Sequence, residues 1–237
     1  MAVANAAGGN GIGLLREKGL HAGIKAWYTE AGDAIEVRIG SHVVDIVRGD
    51  LLIEVQTGDF AHLRPKLAAL LAGHPVRVVY PVAQERWIVT LSAEGEVLRR
   101  RRSPKRGRVA DVFRELVYIG PLFAHPGLSL HVLLTREEEI RRQDGLGSWR
   151  RGGASIVDRR LLDVLSTVRL ETPADLAALL PESLPDPFTN ATLAKALGVT
   201  RALARRCTYC LRSLGVLEII GRDGRTLQFA RTAAAIE

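Results

Sequence analysis

Cysteine is nearly absent: the 237 residues include two, Cys207 and Cys210. Two thiols three positions apart make no disulfide framework, which excludes the small stapled folds. No apolar run approaches the ~20 residues of a membrane span. The opening MAVANAAGGNGIG lacks the charged and apolar regions of a signal peptide. A soluble, cytoplasmic protein with no membrane partner is expected. The Gly-x-Ser-x-Gly signature of a serine nucleophile does not occur, and no Gly-Lys-Ser/Thr follows the glycines at 9–13, which argues against nucleotide binding there.

What is present is an ordinary globular composition, 47% apolar and 25% charged, long enough for one large domain or two small ones. Charge is distributed unevenly. The net +7 arises from two segments. Residues 99–108 (RRRRSPKRGR) carry seven cations and no acid, and residues 200–231 carry seven arginines and two acids. The remainder is −5, so two basic patches sit on an acidic body, the pattern of a polyanion-binding surface. Arg99, Arg100, Arg101, Arg102, Lys105, Arg106 and Arg108 are the candidate phosphate contacts in the first patch. The bland alternative is a solvated arginine run.

Hydrophobic spacing predicts a loose tail over 1–11 and a helix from about Leu14 to Glu30. Three short strands follow, at 34–39, 42–47 and 51–56, then a helix over 60–72 and strands at 75–82 and 86–91. This α-β-β-β-α-β-β order describes an α/β domain over 12–95, a mixed sheet covered by helices. Residues 96–154 read as a basic connecting region with a helix at 109–118, a strand at 129–134 and a charged helix at 136–143. Its Gly-rich 144–155 is the best linker candidate. From Ile156 the pattern turns helical again, opening a second domain over 155–237.

Within that second domain, FTNATLAKALGVTRALARRCTYCLRSLGVLEIIGRDGRTLQFAR (188–231) is the clearest local architecture. Thr189 caps a short helix, Gly198 ends it, and Thr200 caps a second helix to about Leu214. Two short strands around Arg222-Asp223-Gly224-Arg225 then form a hairpin. The layout resembles a winged helix-turn-helix, a mostly α domain. The resemblance implies DNA docking through Arg201, Arg205 and Arg212, with Arg206 and Tyr209 beside them and Arg222 and Arg225 at the wing tip. Winged helices also serve as protein-interaction modules. Cys207 and Cys210, inside the helix and with no second ligand pair, read as packing residues.

Acids in strands carry the chemical signal. Asp45 interrupts Val43-Val44-Asp-Ile46-Val47, and Glu54 interrupts Leu51-Leu52-Ile53-Glu-Val55. Such carboxylates are costly unless solvated, paired or metal-bound. With a four-residue hairpin loop, or a bulge at Gly49, Asp45 comes opposite Glu54 on the face that also carries Gln56. Two carboxylates at that range suit Mg²⁺ or Mn²⁺.

This stretch resembles the active-site hairpin of the PD-(D/E)XK nuclease superfamily, in the Glu-X-Gln variant seen in some restriction-endonuclease-like and CoiA-like members. The resemblance implies a restriction-endonuclease-like mixed sheet flanked by helices. It also implies Asp45 and Glu54 as metal ligands, Glu17 on the preceding helix as a third acid, and metal-dependent hydrolysis of DNA. Gln56 stands where most members have Lys; it supplies no positive charge, and Lys25 or Lys66 on flanking helices would replace it. Glu17, His21, Lys25 and Tyr28 form one helix stripe that would face the site, although His21 taken alone reads as a solvated position. The expectation is a DNA endonuclease acting on duplex or branched DNA, with a regulator that kept the fold and lost activity as the alternative. Symmetric cutting would call for a homodimer.

Overall fold

The computed structural model describes residues 19–232. The expected tail at 1–11, the first residues of the opening helix, and Glu17 lie outside the described residues. The chain runs α1 (Gly19–Tyr28), β1 (Ala34–Ile39), β2 (His42–Arg48), β3 (Leu51–Val55), α2 (Phe60–Leu71), β4 (Val76–Leu91) and β5 (Val97–Arg102). It continues through α3 (Phe113–Ile119), β6 (Leu128–Arg142), β7 (Ser155–Leu170), α4 (Pro173–Ala177), α5 (Asn190–Leu197), α6 (Arg201–Ser213), β8 (Leu217–Asp223) and β9 (Thr226–Arg231).

Seven strands form one mixed sheet in the order β1-β2-β3-β4-β6-β7, with β5 also paired to β4. β4 runs parallel to both β3 and β6, and the other pairings are antiparallel. Parallel neighbours need crossover connections. Here α2 bridges β3 to β4, and α3 lies between β4 and β6. Both helices bury Phe60, Leu67, Phe113 and Leu116 on one face of the sheet, against Val76, Val78 and Leu130. The other face is covered by α1, whose Leu20, Ile24 and Tyr28 pack on Ile46, Ile53, Val79 and Leu133. Alternate residues of β3 and β4 thus serve two cores, which makes their sequences nearly continuous apolar runs. Among the described residues no helix is long and apolar enough to cross a membrane.

The sheet corrects several expectations. The two strands expected at 75–82 and 86–91 are one strand, β4, with an irregularity between Ala83 and Glu85. The helix expected at 136–143 is the second half of β6. Its REEE alternates: Glu137 and Glu139 are buried beneath Arg86, while Glu138 meets Arg100 on the opposite side. The helix expected after Ile156 is β7. Register shifts against β6 leave Val157, Leu162 and Leu165 as extra residues in β7. Each bulge resets the alternation, so apolar residues fall side by side and mimic a helical period. Residues 143–154 link β6 to β7 within the same sheet and are closed by a Gly147 N–H to Gly153 O bond of 2.7 Å. The sheet therefore continues through the positions expected to separate 12–95 from 96–154 and from 155–237.

At the C-terminus the Thr189 and Thr200 hydroxyls accept the N–H groups of Thr192 and Leu203, and Gly198 takes φ 62 at the end of α5. α6 buries Leu203, Ala204, Cys207, Cys210 and Leu211 in the same apolar cluster as α3. Neither cysteine is in a disulfide, and burial raises both thiol pKa values, that of Cys210 to about 12. β8 and β9 pair as an antiparallel hairpin with Asp223 opposite Thr226.

Candidate functional site

The turn between β2 and β3 is Gly49-Asp50, with Gly49 at φ 58 and Arg48 opposite Leu51. This register brings Asp45 to the level of Glu54, but the paired positions end at Ile46 opposite Ile53. There the Asp45 carboxylate enters the ladder itself, accepting the Val55 N–H at 2.8 Å. From α1, His21 Nε2 lies 3.4 Å from the same carboxylate oxygen, so His21 is a member of the site and not a merely solvated position. Burial works to raise the Asp45 pKa, but the His21 and Val55 hydrogen bonds outweigh it and hold the group below the ordinary aspartate value. Asp45 is an anion at neutral pH.

Glu54 faces α2. It is 3% exposed, and the cation beside it is Lys66, with Nζ 2.5 Å from Oε1. The same ammonium also donates to the Val43 carbonyl, so Lys66 ties Glu54 to the β2 backbone. Burial is the largest influence on Glu54 and the Asp45 charge adds to it; Lys66 opposes both, and the pKa settles at about 7. Against an ordinary value of 4.5, the folded state holds a proton that the unfolded chain releases. Stability should therefore fall as pH rises from about 4.5 to 7, by about 3 kcal/mol from this group. Glu54→Gln should remove that contribution, so denaturation at pH 5 and pH 8 should show the variant gaining on wild type as pH rises. An unchanged difference would mean Glu54 is not a buried acid.

The remaining site candidates are placed as follows. Gln56 donates its amide to the carbonyls of Gly58 and Asp59, bracing the turn into α2. Lys25 on α1 is paired with Glu36 at 2.7 Å. Glu36 went unnoticed in the sequence, although it interrupts Ala34-Ile-Glu-Val37 as Glu54 interrupts β3. By the β1–β2 register it stands across from Asp45, and its φ of 54 is an uncommon backbone for a side-chain-bearing residue. Among the described residues no group of three His, Cys, Asp or Glu side chains converges to hold a metal. Asp45 and Glu54 nevertheless supply two hard oxygen donors, each carboxylate held by a cation or polar group from a flanking helix. That suits a Mg²⁺ or Mn²⁺ ion whose other positions are filled by water and phosphate.

The basic residues separate by their partners. Arg100 lies 4.4 Å over Trp87 and pairs with Glu138; Arg102 and Arg106 approach Glu85 at 2.5 and 3.5 Å. Arg108 donates to the Leu197 carbonyl at the end of α5, and Arg206 to the Arg114 carbonyl at 2.5 Å. Arg108 and Arg206 therefore join the α5–α6 pair to the segment that carries α3. Arg99 and Lys105 are exposed and Arg101 half-buried. On α6 and the β8–β9 hairpin, Tyr209, Arg212 and Arg222 face solvent, and Arg201, Arg205 and Arg225 line a cleft of about 330 Å³. Sequence reasoning missed Arg86, Arg114 and Arg159, which line a larger cleft of about 620 Å³ between the sheet and the start of α6.

Known proteins add a family. A protein of Treponema pallidum (strain Nichols), described as an uncharacterized protein, is 35% identical over 220 residues, 91% of this chain and 85% of its own length. No solved structure matches. The family model described as Domain of unknown function (DUF8091) matches residues 18–171, from α1 through β7, and the chain belongs to that family.

Proposed function

We propose that this protein is a metal-dependent nuclease of the PD-(D/E)XK type joined to a C-terminal winged-helix DNA-docking unit. The observation that carries the reading is that Asp45 and Glu54 stand at one level where β2 parts from β3, near enough for the Asp45 charge to raise the Glu54 pKa, with Lys66 on the second carboxylate. Lys66 supplies from α2 the positive charge that Gln56 lacks. Asp45 and Glu54 would hold Mg²⁺ or Mn²⁺, which lowers the pKa of a bound water and neutralises charge on the scissile phosphate. Asp45 is held ionised by His21 and the Val55 N–H, and Glu54 loses its proton near neutrality. The α5–α6 pair, the cap residues and the hairpin support the winged-helix reading, with Arg201, Arg205 and Arg212 as duplex contacts.

A second reading, a DNA-binding regulator without catalysis, is favoured by the bracing role of Gln56, whose amide is spent on the turn into α2. Cleavage assays on duplex, single-stranded, flap and four-way-junction DNA separate the two. The nuclease should cut in Mg²⁺ or Mn²⁺ and stop in EDTA. DNA bound equally well in EDTA and never cut in either metal would leave the regulator.

A further inference from the structure

We infer that the 620 Å³ cleft between the sheet and the helix pair is the path of a single DNA strand, so that the substrate carries a single-stranded arm or end. This rests on the proposed action on DNA and specifies its substrate. The cleft begins at Leu20 and Thr57, one residue from His21 and Gln56 respectively, and ends at Gly198-Val199-Thr200, the turn into α6. Its floor is β4 at Tyr80–Ala83, where that strand runs on past the end of β3. Its walls carry Arg86, Lys105, Arg106, Arg114 and Arg159 against two acids, Asp111 and Glu137. Both acids are already engaged, Asp111 by Arg114 and the Arg108 N–H, and Glu137 by Arg86 and Thr135. Most of the cations are paired as well, Arg114 with Asp111, Arg86 and Arg159 with Glu139, and Arg106 at 3.5 Å with Glu85, so the excess of cations over acids in the lining rests chiefly on the exposed Lys105 and Arg106.

The segment that forms one wall is held in place by close contacts. Gly107 donates to the Ala83 carbonyl at 2.8 Å, and a Cβ there would approach that oxygen to 2.6 Å. Gly198 leaves room for the Arg108 guanidinium, which a Cβ would overlap. A volume in the range of ligand pockets, about 300–1,000 Å³, admits a nucleotide or two and excludes a duplex. An apolar floor with cationic walls, with one end formed by the chain neighbours of His21 and Gln56, fits a phosphodiester strand whose backbone is tracked by charge.

The test is fluorescence anisotropy in EDTA, so that cutting does not enter, using a labelled oligothymidylate and a blunt duplex. Lys105→Ala/Arg106→Ala changes two exposed side chains. It should weaken single-strand binding about tenfold and lower the salt slope by about 1.4, from roughly 0.7 per lost phosphate contact. Duplex affinity should stay within about twofold, while Arg212→Ala on α6 should show the converse. Equal weakening of both DNA forms, or unchanged single-strand binding, overturns the strand path. So does thymidine 5′-monophosphate competing at oligonucleotide concentrations, which would make the cleft a nucleotide pocket. If the double variant loses single strands selectively while wild type never cuts in metal, the nuclease reading fails and the strand path stands. Metal-dependent cutting with groove variants that bind normally has the opposite meaning. A wild type that binds no DNA removes both.

Discussion

Asp45→Asn should slow metal-dependent cutting by about 10³-fold or more, equivalent to about 4 kcal/mol of transition-state stabilisation, while leaving the fold nearly unchanged. The amide oxygen of Asn can still accept the Val55 N–H that Asp45 accepts at 2.8 Å, so the junction of β2 and β3 survives. What is lost is the charge. Asp45 is the carboxylate held below its ordinary pKa, and therefore the permanent anion of the pair, whereas Glu54 titrates at about 7. A divalent ion would be left with one anionic ligand, Glu54, in place of two. Single-turnover cleavage beside thermal melting checks both halves of the expectation. Cutting within tenfold of wild type in a folded variant would move the metal away from Asp45.

Arg86→Met should destabilise the protein by about 3–5 kcal/mol at neutral pH, because it removes one partner of a buried ionic network. Arg86 reaches Glu137 at 3.2 Å and Glu139 at 3.3 Å, both 2% exposed. Glu139 retains Arg141 at 2.6 Å and Arg159 at 3.5 Å, while Glu137 retains the Thr135 hydroxyl. The cost therefore falls mainly on Glu137, a carboxylate left inside the sheet without the arginine above it. At roughly 2–4 °C per kcal/mol for a chain of this length, the melting temperature should fall by about 6–20 °C. A companion Arg86→Met/Glu137→Gln variant should recover much of the loss. A melting temperature unchanged in the single variant would show the network to be surface charge.

The sequence disclosed what depends on neighbouring residues. Thr189, Gly198 and Thr200 marked the bounds of α5 and α6 because caps are local chemistry. The β2–β3 hairpin was legible from Gly49-Asp50 and from two acids that break apolar runs. Long-range pairing was not legible. Glu137 and Glu139 look like a solvated helix face until Arg86, some fifty positions away, is placed over them. β7 was hidden by its bulges, whose phase is set by β6. At the site, the sequence offered two lysines for one role and could not choose. The approach of α2 brings Lys66 to Glu54, and the approach of α1 brings Lys25 to Glu36. Glu36 carried the same signal as Glu54 and was passed over because no motif asked for it.

Arg108 threads its guanidinium past Gly198 to the end of α5, and Arg206 on α6 grips the carbonyl of Arg114. These two contacts, from opposite sides of the same boundary, join the apolar cluster that α6 shares with α3 in fixing the helix pair against the rest of the chain. On the proposed reading, a duplex seated on α6 is presented to the carboxylate pair at one distance and one angle. The chain then acts as a ruler: the interval between the point of docking and the point of scission is written into the protein, and product lengths should be uniform whatever the length of the DNA supplied.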